Sequence, residues 1–133
     1  ITRGAADGQT SRATLEGIAF QVYDSVRAME ADAGQETAQL RADGGASKSV
    51  YLMQTQSDLF AFDIERPLTI ETTALGAAYL AGLATGYWPS IEALHEQWQV
   101  GQVFKPKLSP ERVQHMLHYW HKAVRAARHW IEE

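Results

Sequence analysis

The sequence has no cysteine among its 133 residues. This absence excludes disulfides, thiolate metal sites and cysteine nucleophiles, and it is what we expect of a cytoplasmic protein. The sequence also has no apolar run long enough to span a membrane, so we expect no membrane partner. Positive charge is not in excess either, because 12 Lys and Arg stand against 16 Asp and Glu. The resulting net charge of −4 argues against a nucleic-acid partner.

The sequence does have enough apolar residues for one core. Hydrophobic residues make up 45% of the chain and charged residues 21%, which is typical of a folded domain rather than a disordered segment. The length fits one domain or part of one. Because the chain starts at Ile1, without an initiator methionine or a signal-peptide pattern, we expect a piece of a longer protein.

Apolar residues recur at steps of three and four along much of the chain, which predicts helices. The first helix is predicted over 11–33, with Thr10 or Ser11 as its cap and Gly34 at its end. Ser109 and the proline after it predict the cap and first turn of the last helix. The helices between them are predicted over 47–60, 73–86 and 90–98.

Two of these helices have a face that we expect to be buried. In the second helix the expected inward residues are Val50, Met53 and Leu59. In the last helix they are Val113, Met116, Leu117, Trp120, Val124 and Ala127.

Two short strands are predicted, over 40–43 and over 62–66, and Pro67 ends the second. A strand–helix–strand unit implies parallel strands, and therefore an α/β fold. Because two strands alone make a poor sheet, we expect the sheet to continue in chain outside this sequence or in a partner molecule. The segment 100–112 is interpreted as a connector.

A glycine pair, Gly44 and Gly45, follows Asp43 between the first predicted strand and the next helix. Ligands of open α/β sheets bind where parallel strands end, and glycines let a ligand approach the backbone closely. A plain tight turn with positive φ is the alternative interpretation, because a glycine pair alone is a weak motif.

Four stretches of the sequence resemble the closing part of the glycerol kinase branch of the FGGY carbohydrate kinase family. They are SRATLEGIAFQVYDSVRAME, LRADGGASKSVYLMQTQSD, ETTALGAAYLAGLATGYW and FKPKLSPERVQHMLHYWHKAVRAA. The resemblance covers nearly the whole chain in order. It implies the ribonuclease-H-like, actin-like ATPase fold, with residues 1–133 forming the second half of the C-terminal, nucleotide-binding domain and its additional C-terminal helices.

The resemblance also implies which residues meet the nucleotide. In the family the second glycine of the Asp-Gly-Gly motif contacts it, which is Gly45 here, with Gly44 beside it. An Asn that contacts the adenine end is replaced here by Ser49, and the Asn that commonly follows it is Val50. The family's catalytic aspartate, phosphate-binding threonines and glycerol ligands lie upstream, so no catalytic residue is assigned to this chain.

Other candidate sites have plainer interpretations. Three histidines, His115, His118 and His121, lie three residues apart on the last helix. The pair His118 and His121 is a candidate metal site, but a polar helix face is the interpretation that we favour, so no metal ligand is assigned. The segment 71–73 is better explained as a helix cap than as a phosphate site.

The implied function is part of an ATP:glycerol 3-phosphotransferase, with this chain forming one wall of the ATP/ADP pocket. The parent would use ATP with magnesium and glycerol. The expected partner of this chain is the missing N-terminal part of the kinase or a homo-oligomer partner. Two alternatives stay open: a related FGGY sugar kinase, and a noncatalytic assembly module from a degenerate kinase relative, which Ser49 and Val50 would favour.

Overall fold

The computed structural model describes residues 6–130. Within that range the chain forms helices on a small sheet. In chain order the elements are α1 (Asp7–Ala33), β1 (Leu40–Arg41), a 3₁₀ turn (Gly45–Lys48), α2 (Val50–Phe60), β2 (Ile64–Pro67), α3 (Thr72–Ala84), α4 (Ile91–His95), β3 (Val100–Phe104) and α5 (Pro110–Arg128).

The sheet has the strand order β1-β2-β3. Strands β1 and β2 are parallel, as predicted from the strand–helix–strand unit. The prediction of a connector was wrong over Val100–Phe104, because these residues form β3 and pair antiparallel with β2. A third strand of the sheet therefore comes from this chain itself, which we had not predicted. The continuation of the sheet in chain outside this sequence or in a partner molecule stays a prediction.

The antiparallel pair is irregular at the place where Gly101 lies. The register between β2 and β3 shifts between Arg66 and Pro67. A Cβ atom added at Gly101 would come within 2.9 Å of the Cα of Leu68, so the two backbones approach too closely for any side chain. Glycine at this position lets β3 stay paired past the bulge.

Helix α1 starts earlier than predicted. Its N-cap is Ala6, not Thr10 or Ser11, and the Gln9 side chain accepts a 2.9 Å hydrogen bond from the N–H of Ala6. This bond satisfies the backbone N–H of the N-cap residue itself, which the side chain of a capping serine or threonine does not reach. The predicted end was confirmed, because Gly34 adopts a left-handed conformation with φ of 64°.

Helix α2 is the central helix of the core. Met53 and Leu59 are buried as predicted, whereas Val50 is 56% exposed and that prediction was wrong. The reason is that α2 begins only at Val50, after the 3₁₀ turn. Val50 is therefore the first residue of the helix, and the buried residues begin at Leu52. The core cluster consists of Ala19, Phe20, Leu52, Met53, Leu59, Phe60, Ile64 and Phe104.

Helix α5 packs on this core by four of its six predicted inner residues: Val113, Met116, Leu117 and Trp120. Val124 is only half-buried and Ala127 is exposed, so the last turns of the helix lie beyond the core. Ser109 caps the helix as predicted, and its hydroxyl accepts a hydrogen bond from the N–H of Arg112.

A polar pair on α2 connects this helix to the segment before α5. The buried Ser57 hydroxyl lies 2.9 Å from the carbonyl of Phe104. The carboxylate of Asp58 accepts hydrogen bonds from the N–H groups of Lys107, at 2.6 Å, and Leu108, at 3.3 Å. Asp58 thus has a structural role. None of the helices in residues 6–130 has the length and apolarity that crossing a membrane requires.

Candidate functional site: the glycine turn

Residues 43–49, here named the glycine turn, connect β1 to α2 at the end of a parallel strand. The N–H of Ala42 still pairs with the carbonyl of Glu65, and the N–H of Gly44 donates to the carbonyl of Ile70 at 2.9 Å. The turn therefore starts as an extension of the sheet and is anchored to the segment that follows β2. This is the edge at which α/β sheets bind ligands.

The two glycines differ in backbone conformation. Gly44 has φ of 76°, which L-residues with a side chain rarely adopt. Gly45 lies outside the left-handed region, and a Cβ atom built on it would meet nothing within 4 Å. Nothing in the described part of the fold requires glycine at position 45. The space beside Gly45 is open for a group from outside these residues to reach the bare backbone.

Hydrogen bonds from the side chains of Ser47 and Arg66 to backbone carbonyls stabilise the glycine turn. Ser47 is 1% exposed, and its hydroxyl donates a 2.7 Å hydrogen bond to the carbonyl of Gly44. From β2, Arg66 donates to the carbonyl of Ser47 at 2.8 Å and to the side-chain oxygen of Gln102 at 2.7 Å. These contacts fix the conformation of the turn before any ligand arrives, which lowers the entropy cost of binding.

Sequence reasoning missed both of these supporting residues. The i, i+3 spacing of Ser47 after Gly44 is a local signal from which its hydrogen bond could have been found. No local signal was available for Arg66, because its partners Ser47 and Gln102 lie far from it in sequence.

Ser49 is the N-cap of α2, whereas the helix predicted over 47–60 placed it inside the helix. Its hydroxyl oxygen accepts a 3.3 Å hydrogen bond from the N–H of Leu52. The residue is half-buried, and it lies between the 3₁₀ turn and the helix. Ser49 thus already has a structural partner, although its hydroxyl hydrogen can still be donated elsewhere.

Two residues after Ser49, Tyr51 belongs to a small network of polar and charged side chains between α1 and α2. The Tyr51 hydroxyl donates a 2.5 Å hydrogen bond to Glu16, which also pairs with Arg12 at 2.8 Å. Burial of the ring, and then the bond to Glu16, raise the pKa of Tyr51. The phenol therefore stays neutral, and its proton is committed to Glu16. Asp43 is exposed and is not assigned as a base.

The histidines of α5 contact different partners. His121 lies 3.0 Å from Asp24 of α1, while His115 and His118 contact the ring of Tyr119. Among residues 6–130 no group of three or more His, Asp or Glu is arranged to hold a metal ion. The helix-face interpretation of these residues stays a prediction.

Comparison with known proteins identifies the family. The model of the FGGY family of carbohydrate kinases, C-terminal domain, matches residues 2–85. The chain belongs to the FGGY family. Among curated relatives, a glycerol kinase from Dichelobacter nodosus is 62% identical over the whole chain, and one from Burkholderia pseudomallei is 50% identical. The chain spans 27% of the length of each of these relatives.

Solved structures agree with this assignment. The structure of Plasmodium falciparum glycerol kinase with ADP matches the whole chain with a TM-score of 0.83 and 35% identity, over 26% of its own length. A ligand-bound xylulose kinase from Lactobacillus acidophilus matches 97% of the chain with a TM-score of 0.74, over 26% of its own length. At 23% identity the xylulose kinase shows the fold alone. FGGY kinases have the ribonuclease-H-like, actin-like ATPase fold, and the chain forms one part of that fold.

Proposed function

We propose that this chain is the C-terminal portion of the nucleotide-binding domain of an ATP:glycerol 3-phosphotransferase. The observation that carries the proposal is the 62% identity to a glycerol kinase along all 133 residues. The parent reaction moves the γ-phosphoryl group of ATP to a hydroxyl of glycerol. The parent is a cytoplasmic enzyme, and its remaining N-terminal part is the first partner of this chain.

We assign the glycine turn to one wall of the ATP/ADP pocket. Two features of the turn fit a nucleotide: the open space beside Gly45, and the rigid support of the turn by Ser47 and Arg66. A solved glycerol kinase of this fold carries ADP. In this role Gly44 and Gly45 provide bare backbone, and Ser49 provides one hydroxyl at the start of α2.

The chemistry of transfer comes from groups outside this chain. Phosphoryl transfer depends on positioning and on neutralising charge from both sides of a cleft. Magnesium supplies charge neutralisation at the phosphates, and an aspartate elsewhere in the parent takes the proton of the glycerol hydroxyl. No residue of this chain has a catalytic role in the proposal.

A second function, a noncatalytic assembly module, is favoured by one specific observation. Ser49 and Val50 replace the two Asn residues that are usual in the family, and Val50 exposes an apolar side chain at this place. If this remodelling has abolished nucleotide binding, the parent has no phosphotransferase activity.

Product analysis of the full-length parent tests these alternatives. The protein is incubated with ATP, magnesium and, in separate reactions, glycerol, xylulose or gluconate. We expect glycerol phosphate and ADP from glycerol, and background from the other two substrates. The isolated 133-residue chain should stay at background with all three. Phosphorylation of a sugar instead of glycerol would favour a related sugar kinase, and an inactive parent that binds no nucleotide would favour the noncatalytic module.

A further inference from the structure

A cross-strand arginine joins the glycine turn to β3. Arg66 lies directly opposite Gln102 in the antiparallel register of β2 and β3. One terminal nitrogen of its guanidinium donates a 2.7 Å hydrogen bond to Oε1 of Gln102, and the other donates a 2.8 Å hydrogen bond to the carbonyl of Ser47. The hydroxyl of Ser47 in turn donates to the carbonyl of Gly44 at 2.7 Å. Three hydrogen bonds in series therefore connect β3 to the first glycine of the turn.

Neutral oxygen atoms hold the Arg66 guanidinium in this orientation. Within residues 6–130, Arg66 forms no ion pair with an aspartate or glutamate. Its two hydrogen bonds there are those to Ser47 and Gln102, and its Cζ atom lies 5.6 Å from the centroid of the Phe104 ring. A guanidinium that makes two bonds in its plane is oriented more firmly than one that makes a single bond. Gln102 thus supplies one of the two bonds that orient this side chain.

Gln102 belongs to a part of the chain beyond the range that the family model matches. That range ends at residue 85, whereas β3 comprises Val100–Phe104. The side-chain hydrogen bond of Gln102 is made with Arg66, and the bond to the turn is made by Arg66 itself. An effect of the Gln102 side chain on the glycine turn therefore passes through this arginine.

We propose that Gln102 is a positioning residue for the nucleotide, and that it acts through Arg66 on the glycine turn. This inference rests on the proposed function. With Gln102 in place, Arg66 stays bonded to Ser47, and the bare backbone at Gly45 keeps the conformation that the nucleotide meets. Without the Gln102 oxygen the turn populates other conformations, and the apparent affinity for nucleotide falls with the fraction of molecules that stay competent. The affinity for glycerol does not change, because the residues that bind glycerol are expected outside this chain.

A matched pair of methionine substitutions in the full-length parent tests the proposal. Gln102→Met keeps the length of the side chain but removes the acceptor, and it should weaken ADP binding roughly three- to tenfold in calorimetric titration. Gln54→Met is the control, because Gln54 is also half-buried and its amide donates to Asp58 and to the carbonyl of Lys105, neither of which belongs to the glycine turn. The control should bind ADP like the wild type, even if both variants lower the thermal midpoint equally. Equal ADP affinities for the two variants would overturn the proposal.

Two further variants separate positioning from a general loss of stability. Gln102→Glu provides an acceptor again at the same reach, so it should bind ADP more tightly than Gln102→Met does. Arg66→Met removes the intermediary, so adding Gln102→Met to it should weaken ADP binding no further. A glutamate variant as weak as the methionine variant, or additive losses in the double variant, would contradict the proposal. The glutamate variant gives an answer even if Arg66→Met fails to fold.

The outcome is distinguishable from failure of the proposed function. A parent that phosphorylates glycerol, and whose Gln102→Met variant binds ADP as well as the wild type, would disprove only the positioning role. A parent that phosphorylates a sugar instead, but loses ADP affinity in Gln102→Met, would disprove only the assignment of glycerol. A wild-type parent that binds no ADP would overturn the proposed function and the positioning role together.

Discussion

The indole N–H of Trp120 on α5 donates a 2.7 Å hydrogen bond to the carboxylate of Asp24 on α1. The other oxygen of the same carboxylate lies 3.0 Å from Nε2 of His121. The Trp120 ring also stacks on Phe20, with centroids 5.2 Å apart. One carboxylate thus joins the last helix of the chain to the first, across 96 residues of sequence.

We therefore predict that Asp24→Ala loosens the attachment of α5. The loss of the two contacts should lower the free energy of unfolding by about 1 kcal/mol. Urea unfolding followed by tryptophan fluorescence measures this change. Asp32→Ala is the control, because Asp32 is an exposed carboxylate on the same helix. If the two variants unfolded alike, the Asp24 contacts would contribute nothing to stability.

A second prediction concerns the buried hydroxyl of Ser57. It lies within 3.0 Å of two carbonyls, those of Phe62 and Phe104, and the residue is fully buried. Ser57→Ala leaves these acceptors without that donor, and it should cost about 1–2 kcal/mol of unfolding free energy. The matched variant is Ser25→Ala, whose hydroxyl donates to the carbonyl of Gln21 at an exposed site. That change should stay within about 0.5 kcal/mol, and a similar cost for both would contradict the role of burial.

The parts of the fold that the sequence predicted correctly are those with local causes. The start of α5 follows from Ser109 and the proline after it, and the end of α1 follows from Gly34, because caps act within a few residues. Strand β3 was missed because its pairing with β2 is non-local and Gly101 interrupts its apolar pattern. The start of α1 was misplaced because the bond between Gln9 and Ala6 resembles no standard serine or threonine cap.

The candidate site was predictable to a similar extent. The glycine pair and its place after a parallel strand followed from the sequence, and the structure adds the reason for Gly44, whose φ is positive. The support from Arg66 was not predictable, since it depends on where β2 lies relative to the turn. The assignments of Gly44, Gly45 and Ser49 to the nucleotide remain predictions, and the next two measurements test those of Ser49 and Gly45.

Ser49→Asn in the full-length parent should tighten the binding of ADP. Asn is as good an N-cap as Ser, so the start of α2 is preserved. The longer amide provides an additional donor and acceptor at the pocket. One new hydrogen bond contributes about 0.5–1.5 kcal/mol, which is roughly a two- to twelvefold gain in affinity.

Ser109→Asn is the control for this change. Ser109 is also an N-cap serine with the same kind of bond, but it begins α5, away from the glycine turn. Its substitution should leave the ADP affinity unchanged. If Ser49→Asn bound ADP no more tightly than this control did, the pocket would be remodelled around Val50, and the noncatalytic function would gain support.

The most direct test of the nucleotide wall is calorimetric titration of the full-length parent with ADP, comparing Gly45→Val with Gly8→Val. Both glycines are exposed, lie outside the left-handed region and have open space for a Cβ atom. Valine should therefore cause no local strain at either position. If nucleotide lies against the glycine turn, Gly45→Val should weaken ADP binding by about tenfold or more, which is at least about 1.4 kcal/mol. Gly8→Val should bind ADP like the wild type, and both variants should bind glycerol normally. Unchanged ADP affinity in a folded Gly45→Val protein would contradict the account.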